Sequence, residues 1–512
     1  MVRKKDKMPL RASTTTLPKS NRSNTPSSSS ISITPSPIPQ QIDVSNFSSF
    51  RARTPLRVTI IGAGVAGLCA AIGLTLTGHT VTVYESVSSI KEVGAGIQVA
   101  PNAARILDRF GVLEEVVRDG IALERNSLRR WEDDGEIGWV GLMPGVGKKY
   151  NAPLLVIHRA DLQRILLNRA HSLSIKIHTG CPITAISPDF STPSIKLASG
   201  EWVTDTDLVI AADGIKSFVR SEMARRMGVK DETVSTGDAA YRVVIEEERM
   251  RGDPKMRALV KGNMGVRWMG PGGHIMAYPV RSHKLYNMVL IHPIRPHQID
   301  TESWTSPGTK SEMLKTYSGW NSMVKQLLSY VPDDQEVIME WTLNSHAPLK
   351  SWREGRFVLI GDACHPMLPY VAQGAANAIE DAGVLSVTLG MISSAEKIDD
   401  ALRVYEVVRK ERGEAIQASA RDTQKVLHLK DGREQEERDR RIRESTIAAR
   451  GGEKKGNPDL WADLRWQEFM WGVDVMKEAA ERWSELTSPP PPPPAPTPSG
   501  MSSSAHIRIQ AT

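Results

Sequence analysis

The sequence predicts an α/β fold in which a doubly wound parallel sheet is interrupted by an antiparallel β-sheet and followed by helices. Three observations lead there. Between Leu56 and Glu85, two β-branched runs flank a glycine-rich turn and a helical stretch. Two further apolar runs lead straight into Asp213-Gly214 and Gly361-Asp362. From about Asp238 to Trp341 the pattern changes to short strands separated by turn residues. The chain has 512 residues, 40% of them hydrophobic and 24% charged, which suits a soluble protein with a sizeable core.

The ends read differently from the middle. The net charge of +6 and the isoelectric point near 9.0 suggest nucleic acid until the charge is located. Residues 1–54 carry nine Lys or Arg against Asp6 and Asp43, so this stretch holds more than the whole excess and the remainder is near neutral. Nucleic-acid binding is therefore not expected. Of the 28 residues from 13 to 40, 19 are Ser, Thr or Pro, too few apolar groups to offset chain ordering. Residues 1–54 thus read as a disordered basic tail. An organellar transit peptide is the alternative, but prolines from Pro18 onward break any amphipathic helix, and a cytoplasmic location is expected. Residues 487–512, with their proline run 489–494, read as a stiff polyproline-like tail. Cys69, Cys181 and Cys364 are too few and too scattered for a disulfide framework or a zinc module. No pair among the 12 histidines has HxxxH spacing, so no metal is expected.

The first element, Leu56-Arg-Val-Thr-Ile-Ile61, reads as a buried parallel strand. Gly62-Ala-Gly64-Val-Ala-Gly67 follows, then a helical stretch, then the strand Thr80-Val-Thr-Val-Tyr-Glu85. Gly62 permits a tight turn, Gly64 lets backbone approach a pyrophosphate, and Gly67 lets helix pack on strand. The helix N-terminus offers free N–H groups to phosphate, and Glu85 ends the second strand where it can take ribose hydroxyls. This is a Rossmann-like dinucleotide unit, and the fingerprint alone does not separate NAD from FAD. A membrane span over 58–76 is the competing reading; the fingerprint glycines and the missing flanking charges disfavour it.

The second signature is Asp213-Gly214-Ile-Lys-Ser217-Phe-Val-Arg220. The third is Gly361-Asp362-Ala-Cys-His365-Pro366, continuing through Pro369 to Gln373-Gly374-Ala375 and Asn377. With His158-Arg159, Gly94-Ala-Gly96-Ile97, Ala240-Tyr241-Arg242 and Trp466 to Asp474, these motifs resemble the class A flavin monooxygenases of the para-hydroxybenzoate hydroxylase fold. The salicylate hydroxylase-like fungal branch is the nearest match, over roughly residues 55–415.

The resemblance implies a GR2-type FAD-binding domain holding non-covalent FAD and using NADH or NADPH as co-substrate. Its parts would be residues 55–235 and 343–415, the substrate-binding sheet 236–342, and C-terminal helices 416–486. It implies cofactor contacts at Gly62, Gly64, Gly67, Glu85, Gly96, Arg159, Asp213, Asp362, Gly374 and Ala375. Residues Asp362, Gly374 and Ala375 also make physical sense. A carboxylate past a strand's carboxyl end can accept a ribityl hydroxyl, and a helix N-terminus stabilises an anionic reduced flavin. His365 reads as loop-structuring, Cys364 as a buried packer, and Glu380 and Asp381 as surface or ion-paired groups. No second glycine fingerprint lies between strand and helix, and Gly270-Pro-Gly272-Gly273 reads as a hairpin turn.

On the substrate side, period two puts His274, Met276 and Tyr278 on one strand face. Arg242 and Tyr278 are the expected catalytic residues, since both align with positions where some relatives bind and deprotonate a phenol. A guanidinium favours phenolate, and a tyrosine hydroxyl can hydrogen-bond it. Trp268, Met269 and Met276 are expected to line the pocket. The charged run 430–444 reads as a solvated helix face. The expected reaction transfers one oxygen of O₂ through a flavin C4a-hydroperoxide to a small aromatic substrate, a phenol or aryl acid such as salicylate. The alternatives are a secondary-metabolite monooxygenase or epoxidase, and an oxidase or reductase on the same fold.

Overall fold

A computed structural model describes residues 47–90, 95–295, 305–332, 338–452 and 455–488. Most of the expected N-terminal tail and nearly all of the proline-rich tail lie outside them.

The central sheet has six strands in the order Arg353–Glu354, Phe357–Leu359, Leu208–Ala211, Arg57–Ile61, Thr80–Tyr84 and Lys176–His178. All neighbours are parallel except the short hairpin at the first edge. Its inner strands are almost wholly apolar because helices cover both faces. One cover is the helix Val65–Leu76, which packs against the helix Gly374–Gly390. The two approach so closely that a Cβ on Gly73 would lie 2.1 Å from Ser386 Oγ. The apolar stretch 58–76 is thus a strand, a turn and a twelve-residue helix. Among the described residues no helix is long and apolar enough to cross a membrane.

A second sheet has eight strands. Its order is Thr305–Gly308, Ile338–His346, Thr233–Glu246, Leu285–Pro293, Gly273–Val280, Met264–Gly270, Arg125–Arg130 and Glu136–Gly141. The last two strands come from the first half of the nucleotide-binding region and join through a parallel pairing, so this sheet is neither confined to 236–342 nor purely antiparallel. The sequence Arg-Asn-Ser-Leu-Arg-Arg hides that strand. Several of its polar groups are satisfied by pairing instead, as when Ser127 Oγ donates to Glu136 at 2.6 Å and Arg129 meets Asp134 at 2.9 Å. The Pro271-Gly272 turn joins two antiparallel strands, with Gly272 at φ +74°.

Packing begins before Leu56. Phe47 and Phe50 form a 3₁₀ turn that is buried in the core, with the Phe47 ring 5.7 Å from that of Phe110. At the other end, the helix Ile398–Leu427 runs unbroken across residue 415. The charged run belongs to the helix Arg433–Arg450, which is only partly solvated. It packs on the strand Glu136–Gly141, and buries Gln435, Arg438, Asp439 and Ile442. Asp439 is satisfied there by Arg438 at 2.8 Å and Arg130 at 3.1 Å.

Candidate active site

The glycine fingerprint has three different steric jobs. Gly62 sits at φ +99°, and a Cβ there would lie 2.5 Å from the Ala212 carbonyl oxygen; one on Gly67 would lie 1.9 Å from that of Gly62. Gly64, at the N-cap of the helix Val65–Leu76, faces open space instead, with nothing within 4 Å of where its Cβ would be. That combination leaves a bare helix N-terminus open to a phosphate. Glu85 accepts from Ala63 N at 2.7 Å, fixing the turn, and lies with Gly64 and Gln163 on a surface crevice.

The other two signatures are tied together. Asp213 Oδ2 accepts from Phe218 N at 3.0 Å, and Ser217 caps the helix Phe218–Arg226. From that helix Arg220, 1% exposed, donates to the carbonyls of Ala363 at 3.3 Å and Cys364 at 3.1 Å, and pairs with Asp231 at 2.8 Å. The Gly-Asp loop is held from below as well. Asp381 Oδ2 accepts from Gly361 N at 2.9 Å and meets His365 Nε2 at 2.7 Å. Arg409 spans Asp381 and Glu380 at 2.8 and 2.5 Å, and Arg412 reaches Glu380 at 2.8 Å. Glu380 and Asp381 are therefore paired but wholly buried, not surface groups. His365 does structure the loop, and Cys364 is buried beside it. Cys364, His365 and Asp381 lie close together, but Asp381 is already committed to Gly361, His365 and Arg409.

Asp362 is the exposed member of this otherwise buried loop, and its carboxylate has no hydrogen-bond partner among the described residues. The Gly-Asp loop adjoins both helices that begin at the site, since a Cβ on Gly361 would lie 3.0 Å from that of Ala66 behind the Gly64 terminus and 3.3 Å from that of Ala378 on the helix Gly374–Gly390. These groups fit a dinucleotide with a ring system at its far end.

Beyond that helix end is a cavity of about 210 Å³, lined by Gly374 and Ala375, by Gly96 to Gln98 and by the inner face of the second sheet. Strand register explains which sheet residues face it. Arg242 is opposite Val289, Val289 opposite Met276, and Met276 opposite Arg267, and all four line the cavity. His274 and Tyr278 follow Met276 by period two. The same register corrects one expectation: Trp268 points to the opposite face, fully buried, where its Nε1 donates to Asp134 at 2.7 Å. A second is corrected by packing, since Met269, opposite His274, is buried in the core without lining the cavity.

Arg242 has no carboxylate partner among the described residues, and its Nε is buried without a hydrogen bond. Burial first, and Arg159 second, lower its pKa, while Tyr278 and Asp362 act oppositely. It remains a cation, as any arginine does. Burial raises the Tyr278 pKa well above the ordinary phenol value despite Arg242, so Tyr278 is a neutral hydroxyl. Its ring covers Gly96, where a Cβ would lie 2.4 Å from Cε2. Gly96 therefore makes room for Tyr278. Gly96→Ala is expected to cost about 1–3 kcal/mol through overpacking, read as a lower urea midpoint; an unchanged midpoint would mean that the ring moves aside freely.

The sequence reading missed one wall. Trp461 lines the cavity from the C-terminal region, and Arg267 stacks 5.5 Å from its ring while pairing with buried Asp459 at 2.5 Å. Gln98 and Asn126 also line it with buried amide atoms that have no hydrogen-bond partner among the described residues.

The chain belongs to the FAD binding domain family, which it matches over residues 55–420. It is an FAD-dependent monooxygenase of the class A aromatic type. It is 37% identical to the FAD-dependent monooxygenase atnJ of Arthrinium sp over 386 residues, which are 75% of this chain and 88% of that protein. The 3-amino-4-hydroxybenzoate 2-monooxygenase PtmB3 of Streptomyces platensis is 34% identical over 386 residues, 75% of this chain and 91% of that protein. A solved salicylate hydroxylase substrate complex is similar at TM-score 0.67 and 25% identity, covering 84% of this chain and 98% of that one.

Proposed function

We propose that this protein hydroxylates a single-ring phenol, preferably one carrying a carboxylate, with NADH or NADPH as electron donor. The observation that carries the reading is Arg242: a half-buried arginine with a buried Nε and no carboxylate partner among the described residues, beside Tyr278, in a mostly apolar cavity at the N-terminus of the Gly374 helix. Relatives named for a hydroxybenzoate and a salicylate fit that chemistry.

FAD, held non-covalently, supplies the electron transfer and the activated oxygen. Glu85, Gly64 and Asp213 would take its adenosine and phosphate end; Asp362 its ribityl chain; Arg159, Gly374 and Ala375 the end nearest the cavity. The protein's own part is binding, ionisation and dryness. Arg242 lowers the phenol's pKa by favouring phenolate, which makes the ring electron-rich. Tyr278, a neutral hydroxyl, donates a hydrogen bond that orients the ring oxygen. Leu123, Leu142, Leu154, Val156 and Ile291 exclude water from the reacting atoms.

The direct test is NADH and NADPH oxidation by purified protein against a panel of phenols and aryl acids, with product mass and peroxide followed together. A product heavier by one oxygen, or decarboxylated as from salicylate, supports the reading. Stimulated oxidation that yields only peroxide with every ligand overturns it. For the cofactor, Asp362→Ala is expected to weaken FAD retention by about 10-fold to 150-fold, the range for a hydrogen bond to a charged group. The absorbance ratio of flavin to protein after purification measures this, and a fully yellow variant removes Asp362 from the site.

A further inference from the structure

We propose that Asn126 is a specificity-determining residue, whose amide selects a substrate ring carrying a second polar group that is neutral and both donates and accepts hydrogen bonds. This deepens the hydroxylase reading and rests on it.

Asn126 is 0% exposed and lines the cavity, and neither its Nδ2 nor its Oδ1 has a hydrogen-bond partner among the described residues. Leaving a buried amide unpaired is costly, and the cavity in front of it is where the missing partner can sit. Because both ends lack partners there, either orientation of the amide offers the same donor and the same acceptor.

Strand register ties this amide to the reacting end of the cavity. Asn126 is opposite Gly265 on the next strand, and Val266 is opposite Ala277, so Gly265 comes level with Tyr278 one strand further on. Two strand spacings separate Asn126 from Tyr278, about 10 Å between their Cα atoms. Gly265 has no side chain to fill the interval, and Asn126 leans into it. A Cβ on Gly265 would lie 2.8 Å from Asn126 Oδ1, 3.0 Å from Met276 Cε and 3.4 Å from Leu123 Cδ1. These three side chains all line the cavity. A ring whose phenol oxygen meets Tyr278 therefore turns its far edge towards Asn126.

The company of the amide decides what that edge can carry. The other two atoms that converge there are methyl carbons, so a charged substituent would lose its hydration without gaining an ion pair. Arg267, two residues along from Gly265, is already paired with Asp459 at 2.5 Å. A carboxylate could accept from Nδ2 but would strand Oδ1, and a methyl would satisfy neither. A hydroxyl can serve either end, and a carboxamide both ends in parallel.

The test uses the FAD-loaded protein and salicylates substituted at position 4 or 5 with hydroxyl, carboxamide, methyl or a second carboxylate. Flavin absorbance titrations give each Kd without turnover. At the ring position that reaches Asn126, the hydroxyl or the carboxamide is expected to bind about 10-fold or more tighter than the methyl and the carboxylate, and the tighter of the two names the group. In the near-isosteric Asn126→Leu this advantage falls to about twofold or less while the methyl compound binds at least as well as to the native protein. The urea midpoint of that variant should hold or rise, since an orphaned amide has been removed. A lower midpoint with the native substituent ratio would mean a purely structural asparagine and would overturn the proposal. If Asn126→Leu does not fold, Gly265→Ala, whose Cβ would crowd Oδ1, should shrink the same advantage. A native protein that favours neither polar group, or an advantage that survives in Asn126→Leu, overturns the subsite and leaves the hydroxylase reading standing. Selective binding followed by peroxide alone on adding NADH or NADPH leaves the subsite and overturns the hydroxylase reading. A native protein that binds none of these phenols overturns both.

Discussion

Arg242→Ala is expected to retain its flavin and to lose roughly 10²-fold to 10³-fold in kcat/KM on any phenol found to be a substrate of the native protein, the loss typical of removing one preorganised charge-stabilising donor. The guanidinium neutralises no carboxylate, so its removal strands no buried anion and the fold survives. It is instead the cation closest in kind to what a phenolate needs, and in a water-poor cavity its field is little screened. The loss should fall mainly on kcat for the weakly acidic phenols and fade for nitrophenols already ionised in water. Equal loss on both would assign Arg242 to binding alone, and no loss would remove it from the site.

Arg409→Met is expected to destabilise the protein by about 3–5 kcal/mol, the usual cost of leaving a buried charge without its partner. Arg409, Glu380 and Asp381 are each fully buried, so no water replaces the lost contacts. Glu380 keeps Arg412 and Asp381 keeps His365, but each loses a charge-assisted bond. Burial alone would raise both carboxyl pKa values; Arg412 and Arg409 at Glu380, and His365 and Arg409 at Asp381, outweigh it and hold them low. Their contribution to stability is therefore present above the ordinary carboxylate range and lost as pH falls below it. Urea midpoints at neutral pH measure the effect, and Arg409→Lys should recover only part of it because it lacks the planar fork. Because Asp381 also accepts from Gly361 N, flavin retention should drop with stability; native midpoints in the variant would show that the cluster relaxes freely.

Much of the geometry of the candidate cofactor side was legible because its signals are local. Gly62, Gly64 and Gly67 act within one turn, and Asp362 sits at the end of its own strand. The cavity was less legible because its walls come from distant segments. Arg267 meets Asp459 across 192 residues and His274 meets His428 across 154, separations that no periodicity reports. Trp461 carries no motif at all. The misplacement of Trp268 was avoidable, because Met276 faces Arg267 across the hairpin and alternation then turns Trp268 away. The strand Arg125–Arg130 was hidden by composition, since a buried polar group such as Ser127 becomes tolerable only once a neighbour satisfies it.

The strand Leu208–Ala211 has a timing problem on the ribosome. Its outer neighbour, Phe357–Leu359, is made only after the whole inserted sheet, and at the usual rate of synthesis that interval lasts about 7 to 30 s. Until then a fully apolar strand presents unpaired N–H and C=O groups, the pattern that recruits other chains. Arg220 cannot reach the carbonyls of Ala363 and Cys364 until the same moment, so the nascent nucleotide-binding half stays unlatched. A fragment ending before Phe357 would keep the whole glycine fingerprint and be prone to aggregate.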